Sequence, residues 1–170
     1  MRLGDGAPPF ELPDTDGAIH SPSGSVTAVA FTCNHCPYAL AWHDRLLRVA
    51  RDYEGRARVL FVNPNDAERY PRDSLDAMKE RVRADGGWVV PYLHDASQQV
   101  ARDFGAGKTP EVFLLDAAGR LRYHGAPDAD YEDPAQNAAW LRDALDAVLE
   151  GREPELPETK PVGCSVKWSQ

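Results

Sequence analysis

Two cysteines, Cys33 and Cys36, stand between a predicted strand and the start of a predicted helix. The continuous apolar run from Val26 to Phe31 predicts a strand buried on both faces, as in a parallel sheet. Apolar residues after Pro37 recur at spacings of three and four, which predicts an amphipathic helix with the proline in its first turn. The unit formed by this strand, the C-x-x-C and the helix constrains the fold more than any other segment.

The remaining apolar segments alternate between strand and helix patterns. Further strands are predicted at residues 58–62, 88–93, 111–115 and 121–124. Further helices are predicted to begin near residues 75, 98 and 134, the last two with capping pairs Asp95 and Gln98, and Asp133 and Gln136. Strand–helix–strand order implies parallel pairing, whereas the late hairpin must be antiparallel. We therefore predict an α/β domain over residues 1–150 with a mixed central sheet and helices on both faces.

Charge and cysteine count exclude several classes of protein. The 170 residues carry 19 basic and 27 acidic side chains, a net charge of −8, which argues against nucleic-acid or anionic-membrane partners. No apolar run approaches the ~18 residues of a membrane helix, and the first residues lack the apolar run of a secretory signal, so we expect a cytoplasmic protein. Three cysteines do not make a disulfide framework, so the C-x-x-C indicates redox chemistry or metal binding.

The segment Cys33-Asn34-His35-Cys36 favours redox chemistry because a helix N-terminus stabilises a thiolate. We expect Cys33 to precede the first helical turn, to be the more exposed thiol and to attack a substrate disulfide. Cys36 would lie in the first turn, face inward and resolve the mixed disulfide. A protonated His35 would lower the pKa of Cys33 further.

Metal binding is the alternative, with Cys33, Cys36 and either His35 or Cys164 holding copper or zinc. Structural zinc sites usually have a second cluster of ligands, and the remaining Cys and His residues are isolated in this sequence. Redox chemistry is therefore favoured. Cys164 lies in a proline-rich tail, residues 151–170, which could fold back on the domain.

Several segments together resemble the redoxin branch (AhpC/TSA and TlpA-like proteins) of the thioredoxin-like superfamily. The resemblance spans about residues 3–150 and is carried by Phe31–Pro37, Lys108–Asp116, Asp116–Leu121 with Gly125, and the arm Leu3–Pro8. It implies a thioredoxin-like fold with an N-terminal extension and an inserted helix and strand between residues 65 and 93. It also implies a cis peptide at Thr109-Pro110 against the C-x-x-C, where the Thr109 backbone would pair with a substrate peptide.

The sequence departs from the superfamily pattern at three places. Thr27 occupies the position where a buried carboxylate often acts as base, and Glu111, after the cis-proline, is the best substitute. Ala30 and Val26 stand where peroxiredoxins require Thr or Ser and Pro, which disfavours a peroxidase. Copper-chaperone relatives separate their cysteines by three residues, and here the gap is two.

These features predict a thiol-disulfide oxidoreductase that acts on protein or small-molecule disulfides, with an upstream reductant as partner. The direction of electron flow stays open, because His35 before the second cysteine resembles the strongly oxidising members, whereas the expected cytoplasmic location favours reduction of substrates. The dithiol itself carries two electrons, so no cofactor is required. The predicted catalytic residues are Cys33, Cys36, His35, Pro110 and Glu111. Asn34 and Thr109 are the predicted substrate-binding residues. A thiol peroxidase and a copper- or zinc-binding redoxin-like module are the alternatives.

Overall fold

The computed structural model describes residues 1–22 and 24–170, and it contains a central β-sheet with helices on both faces. The strands are β1 (Leu12–Pro13), β2 (Ile19–His20), β3 (Val26–Phe31), β4 (Ala57–Asn63), β5 (Tyr92–His94), β6 (Lys108–Thr109), β7 (Glu111–Leu115), β8 (Leu121–Gly125) and β9 (Cys164–Ser165). The helices are α1 (Pro37–Asp52), α2 (Leu75–Ala84), α3 (Gln99–Phe104) and α4 (Ala139–Leu149).

The central sheet has five strands in the order β5-β4-β3-β7-β8. Strands β3, β4 and β5 run parallel, and β7 pairs antiparallel with both β3 and β8. The predicted mixed sheet is therefore confirmed. Because parallel strands end at the same edge, the residues that follow β3 and β4 lie side by side there.

Each face of the sheet packs against its own hydrophobic layer. Residues of α1 and α4, with Met78 of α2, cover one face, and the fully buried β3 contributes to both. On the other face, α3 and Phe10 of the N-terminal arm pack against Phe31 and Phe113. This arrangement matches the predicted helices on both faces and places the start of α1 at the carboxyl edge of β3.

Two predicted boundaries and one predicted cap differ from the structure. The strand expected at 88–93 begins only at Tyr92, because the proline at 91 interrupts the pattern. Gln98 caps nothing; its side-chain amide donates to the carbonyls of Pro64 and Lys167 instead. The last helix begins at Ala139 rather than near 134.

The late start of α4 follows from a buried carboxylate. Asp133 caps only a 3-10 turn, Pro134–Gln136, and the next two residues adopt positive φ. The backbone N–H of Ala138 donates to Asp128 Oδ2 at 2.9 Å, which holds the chain in this turn. Asp128 also accepts from Trp42 and forms a buried ion pair with Arg45 at 3.0 Å.

Residues 151–170 return across the domain towards the start of α1. The short strand β9 pairs antiparallel with β6, just before Pro110. Within residues 1–22 and 24–170, no helix combines the length and apolar character needed to cross a bilayer.

Candidate active site

The two cysteines of the C-x-x-C both contact Thr109, one at its hydroxyl and the other at its carbonyl oxygen. Cys33 follows β3 and Cys36 immediately precedes α1. Cys33 Sγ lies 3.5 Å from Thr109 Oγ1, and Cys36 Sγ donates to the Thr109 carbonyl oxygen at 3.2 Å. The Thr109-Pro110 peptide is cis, and both cysteines are free thiols. Thr109, the residue before the cis-proline, thus contacts both sulfurs.

The expected difference in exposure between the two thiols is wrong. Cys33 and Cys36 are each only 1% exposed. Cys36 is the N-cap residue and not a member of the first turn, because the helix begins at Pro37. Strand β9 lies over this end of the domain on Thr109, so both sulfurs are covered.

The pKa values of the pair are shifted in opposite directions. The pKa of Cys36 is lowered to about 4 by hydrogen bonding with the Cys33 thiol and with Cys164 and the Ala39 backbone, against the opposing effect of burial. The same bond to Cys36, then burial and the nearby charge of Asp73, raise the pKa of Cys33. This contradicts the expectation that Cys33 is the acidic thiol: Cys36 occupies the helix start, and Cys33 faces a carboxylate.

A buried carboxylate that the sequence analysis missed, Asp73, lies beside Cys33. It is fully buried and accepts the backbone N–H of Asn34 at 2.7 Å. The side-chain amides of Asn63 and Asn65 also donate to it, at 3.1 and 3.0 Å. Four groups around one charge, with His35 as the fourth, keep this carboxylate in place next to the C-x-x-C.

His35 and Asn34 turn towards Asp73 and its neighbours. His35 Nδ1 lies 2.7 Å from Asp73 Oδ2, and its ring stacks on Tyr70. The Asn34 side-chain oxygen accepts from the Tyr92 hydroxyl at 2.7 Å and from Arg81 at 3.1 Å. Both side chains are therefore engaged inside the protein, and Asn34 organises the loop between the cysteines.

Arg81 and Tyr92, also missed from the sequence, complete this layer. Arg81 donates to the carbonyl oxygen of Cys33 at 3.2 Å and its guanidinium stacks over Trp88. Burial raises the pKa of the Tyr92 hydroxyl, so it stays a neutral donor. The predicted insertion, through α2 and β5, thus supplies the groups that support the C-x-x-C.

Both carboxylate oxygens of Glu111, the predicted base, contact groups other than the cysteine sulfurs. Oε1 accepts the backbone N–H groups of Gly107 and Lys108 at 2.9 and 3.0 Å. Oε2 lies 2.6 Å from His124 Nε2. These contacts give Glu111 a role in holding the loop before Pro110.

The structure also brings together a group of atoms that could bind a metal ion. One ligand atom each from Cys33, His35 and Asp73 lies within 4.8 Å of the others. The Asp73 oxygens already accept from three amides, two at Oδ1 and one at Oδ2, so one lone pair of Oδ2 is left for His35 or for an ion.

The sequence contains only an indirect indication that Asp73 lies beside Cys33. The asparagines that bind it end β4 or follow it, and β4 runs parallel beside β3, whose end carries Cys33. Polar residues after adjacent parallel strands share one edge of the sheet, the usual place for a site in such folds. Asp73 itself ends the 3-10 turn Pro71–Asp73, directly before the N-cap Ser74 of α2, and nothing in this local pattern points to the cysteines.

The fold and the thiol pair define a thioredoxin-like protein, and solved structures support this class. The chain matches a hypothetical protein from Sinorhizobium meliloti 1021 with a TM-score of 0.91 and 36% identity, over 99% of this chain and 96% of that chain. It also matches the exposed lipoprotein thioredoxin from Streptococcus pneumoniae strain TIGR4 with a TM-score of 0.62 and 19% identity, over 78% and 98% of the two chains.

Comparison with protein families is more specific. The model of the AhpC/TSA family matches residues 3–124. The thiol:disulfide interchange protein DsbE of Allochromatium vinosum is 30% identical over 122 residues, which are 69% of this chain and 62% of that protein. The chain thus spans less than two thirds of this relative. The protein belongs to the AhpC/TSA family, in the redoxin branch of the thioredoxin-like superfamily.

Proposed function

We propose that the protein is a thiol-disulfide oxidoreductase whose Cys33–Cys36 pair cycles between dithiol and disulfide. The observation that carries this proposal is the contact of both sulfurs with Thr109, one residue before Pro110, at the start of α1. Similarity to a thiol:disulfide interchange protein supports the same chemistry. The substrates would be protein or small-molecule disulfides.

The first step requires Cys33 as the thiolate and the proton of the pair on Cys36, whose S–H then donates to the Thr109 carbonyl oxygen. The pKa shifts favour the opposite arrangement at rest, so the Cys33 proton passes to Cys36 against that preference. The Cys33 thiolate then attacks one substrate sulfur, forms a mixed disulfide and expels the other sulfur as a thiolate. That leaving thiolate takes the proton from Cys36.

The second step closes the disulfide of the protein. The Cys36 thiolate attacks Cys33 Sγ, forms the Cys33–Cys36 bond and releases the second substrate sulfur, which takes a proton from solvent. Two electrons have then passed from the pair to the substrate. We propose that an upstream thiol reductant restores the dithiol and that no cofactor takes part. Location in the cytoplasm stays a prediction.

Trapping experiments with serine variants test this order of events. Cys33→Ser and Cys36→Ser are each expected to abolish catalysed insulin reduction by dithiothreitol. Cys36→Ser should accumulate a mixed disulfide on Cys33, because the resolving thiol is missing, whereas Cys33→Ser should not. Turnover that survives in both variants would refute the function. A stable mixed disulfide only in Cys33→Ser would reverse the roles of the two thiols.

Metal binding is a second candidate, favoured by the grouping of Cys33, His35 and Asp73. Elemental analysis of protein purified under reducing conditions tests it: one equivalent of copper or zinc would favour the metal site. A thiol peroxidase, the remaining alternative, is separated by measuring peroxide consumption with a thiol reductant.

A further inference from the structure

The C-terminal tail lies on the strand edge beside the active-site proline. Strand β9 pairs antiparallel with β6, and Cys164 is the residue opposite Thr109. The Val166 N–H extends the contact by donating to the Gly107 carbonyl at 3.0 Å. This is the edge to which the sequence analysis assigned an incoming substrate peptide, and the chain's own tail occupies it.

Glycine at position 163 permits the close approach of the two strands. A Cβ atom there would lie 2.2 Å from the Thr109 carbonyl oxygen and 2.6 Å from its carbon, so a side chain would collide with backbone. The same carbonyl oxygen accepts from Cys36 Sγ. Gly163 therefore brings Cys164 up to the residue that already contacts the C-x-x-C.

The rest of the tail is held by polar contacts on the domain. The buried Gln98 side chain donates to the Lys167 carbonyl at 2.8 Å and accepts from the Ser169 N–H at 2.9 Å. The Lys167 N–H donates to Asn65 Oδ1 at 2.9 Å, and Asn65 in turn binds Asp73. Tail and active-site loop are thus tied by one hydrogen-bond network.

The Cys164 thiol packs against the two cysteines of the C-x-x-C and Ala39. Burial and hydrogen bonding with Cys36 raise the pKa of Cys164 to about 11, and the neighbouring lysines oppose this shift. Its thiol interacts with Cys36, the sulfur at the helix start. Two buried thiols and the half-buried Cys164 thiol are therefore grouped around Thr109.

We propose that Cys164 is a third redox-active thiol, which exchanges with the Cys33–Cys36 disulfide to form a Cys36–Cys164 disulfide. The Cys164 thiolate attacks Cys36 Sγ, the Cys36–Cys164 bond forms, and the Cys33–Cys36 bond breaks. Cys33 leaves as a thiolate and takes up the proton that Cys164 lost, so no electrons are gained or lost overall. The product pins β9 on Thr109 and closes that edge to substrate peptides. This inference rests on the proposed function.

Disulfide mapping in Cys33→Ser tests the proposal directly. The full-length variant is oxidised with diamide, which takes up the two electrons and two protons, and is digested without reduction for mass spectrometry. A Cys36–Cys164 linked peptide is expected in the monomer, with both thiols lost. Cys36→Ser, which keeps Cys33 and Cys164, is the comparison and should close its disulfide at least 10-fold more slowly. Two surviving thiols in Cys33→Ser, or only intermolecular disulfides, would overturn the proposal.

The wild-type chain gives a second test that does not depend on the folding of a variant at Cys33. Its oxidised form should yield both Cys33–Cys36 and Cys36–Cys164 linkages, and Cys33–Cys36 alone would refute the exchange. Gly163→Ala should reduce the Cys36–Cys164 fraction at least 10-fold, because the added methyl displaces β9. Ser165→Ala, an exposed neighbour in the same strand, should leave that fraction unchanged.

The two proposals can fail separately. If insulin reduction survives in both Cys33→Ser and Cys36→Ser, the proposed function fails. If that activity is lost in both but no Cys36–Cys164 linkage forms in the wild type or in Cys33→Ser, the exchange alone is refuted.

Discussion

Asp73→Asn should lower the pKa of Cys33 because it removes a negative charge beside the thiolate. The carboxylate and Cys33 Sγ are at most 4.8 Å apart. At an effective dielectric constant of about 20, two unit charges at this distance repel by about 3 kcal/mol, which corresponds to about 2 pH units. Both groups are buried, so solvent screens this repulsion little.

A chain with Cys33 as its only cysteine gives the clearest measurement. In the double variant Cys36→Ser, Cys164→Ser, the thiolate absorbance of Cys33 is followed against pH, with and without Asp73→Asn. The pKa should fall by about 2 when Asp73 is replaced. Asp76→Asn, an exposed aspartate three residues further on, is the matched control and should leave the pKa in place.

The same substitution has a separate cost in stability. An amide at position 73 keeps one acceptor but places N–H donors against the Asn65 amide, which then loses its partner. A buried donor without an acceptor costs about 1–3 kcal/mol, to be measured by urea unfolding. If the pKa of Cys33 stays constant or rises while the variant remains folded, the electrostatic role assigned to Asp73 is wrong.

Three other substitutions test single contacts. Asp128→Ala should lower the free energy of unfolding by about 3–5 kcal/mol in urea, because it leaves the Arg45 guanidinium buried and unpaired; a loss below about 1 kcal/mol would contradict this. Burial lowers the pKa of His43 to about 4, so the folded state disfavours its charged form and stability should fall as the pH drops from about 6.5 towards 4. His43→Leu should flatten that decline, and an unchanged slope would exclude His43 as its cause. Glu111→Ala should cost about 1–3 kcal/mol by leaving two backbone N–H groups without an acceptor, while the pH profile of thiol alkylation stays in place; a shifted profile would restore Glu111 as the base.

Local sequence patterns correctly predicted β3, the β7–β8 hairpin and the start of α1. The run Val26 to Phe31 forms β3 with the predicted bounds, since a six-residue run with Thr27 as its one polar member suits a strand covered on both faces. The hairpin β7–β8 also follows the prediction, because Gly119 supplies the positive φ of its turn. Pro37 opens α1, where its missing N–H costs nothing.

The position of Asp73 beside Cys33 and the start of α4 depend on long-range contacts, which the sequence patterns did not predict. Asp73 is separated from Cys33 by forty residues of chain, and only the parallel pairing of β3 and β4 brings their ends together. The late start of α4 likewise depends on a distant partner: Asp128, ten residues earlier, accepts the backbone N–H of Ala138. Spacing rules carry no information about such partners, because each side chain has an adequate local explanation of its own.

The predicted exposure of Cys33 failed for a related reason, and its correction bears on function. The C-x-x-C and its helix alone would leave the first thiol exposed to solvent. Strand β9, which lies 128 or more residues later in the chain, pairs with β6 and covers this thiol. Under the proposed function, the docked tail and a substrate peptide would compete for the Thr109 edge. The affinity for a peptide would then be the intrinsic affinity multiplied by the fraction of molecules with the tail displaced. Every 1.4 kcal/mol of tail docking costs about a factor of ten in that fraction. A small disulfide that needs no strand pairing would escape most of this penalty. Under the proposed function, we therefore expect the tail to favour small disulfides over peptide substrates.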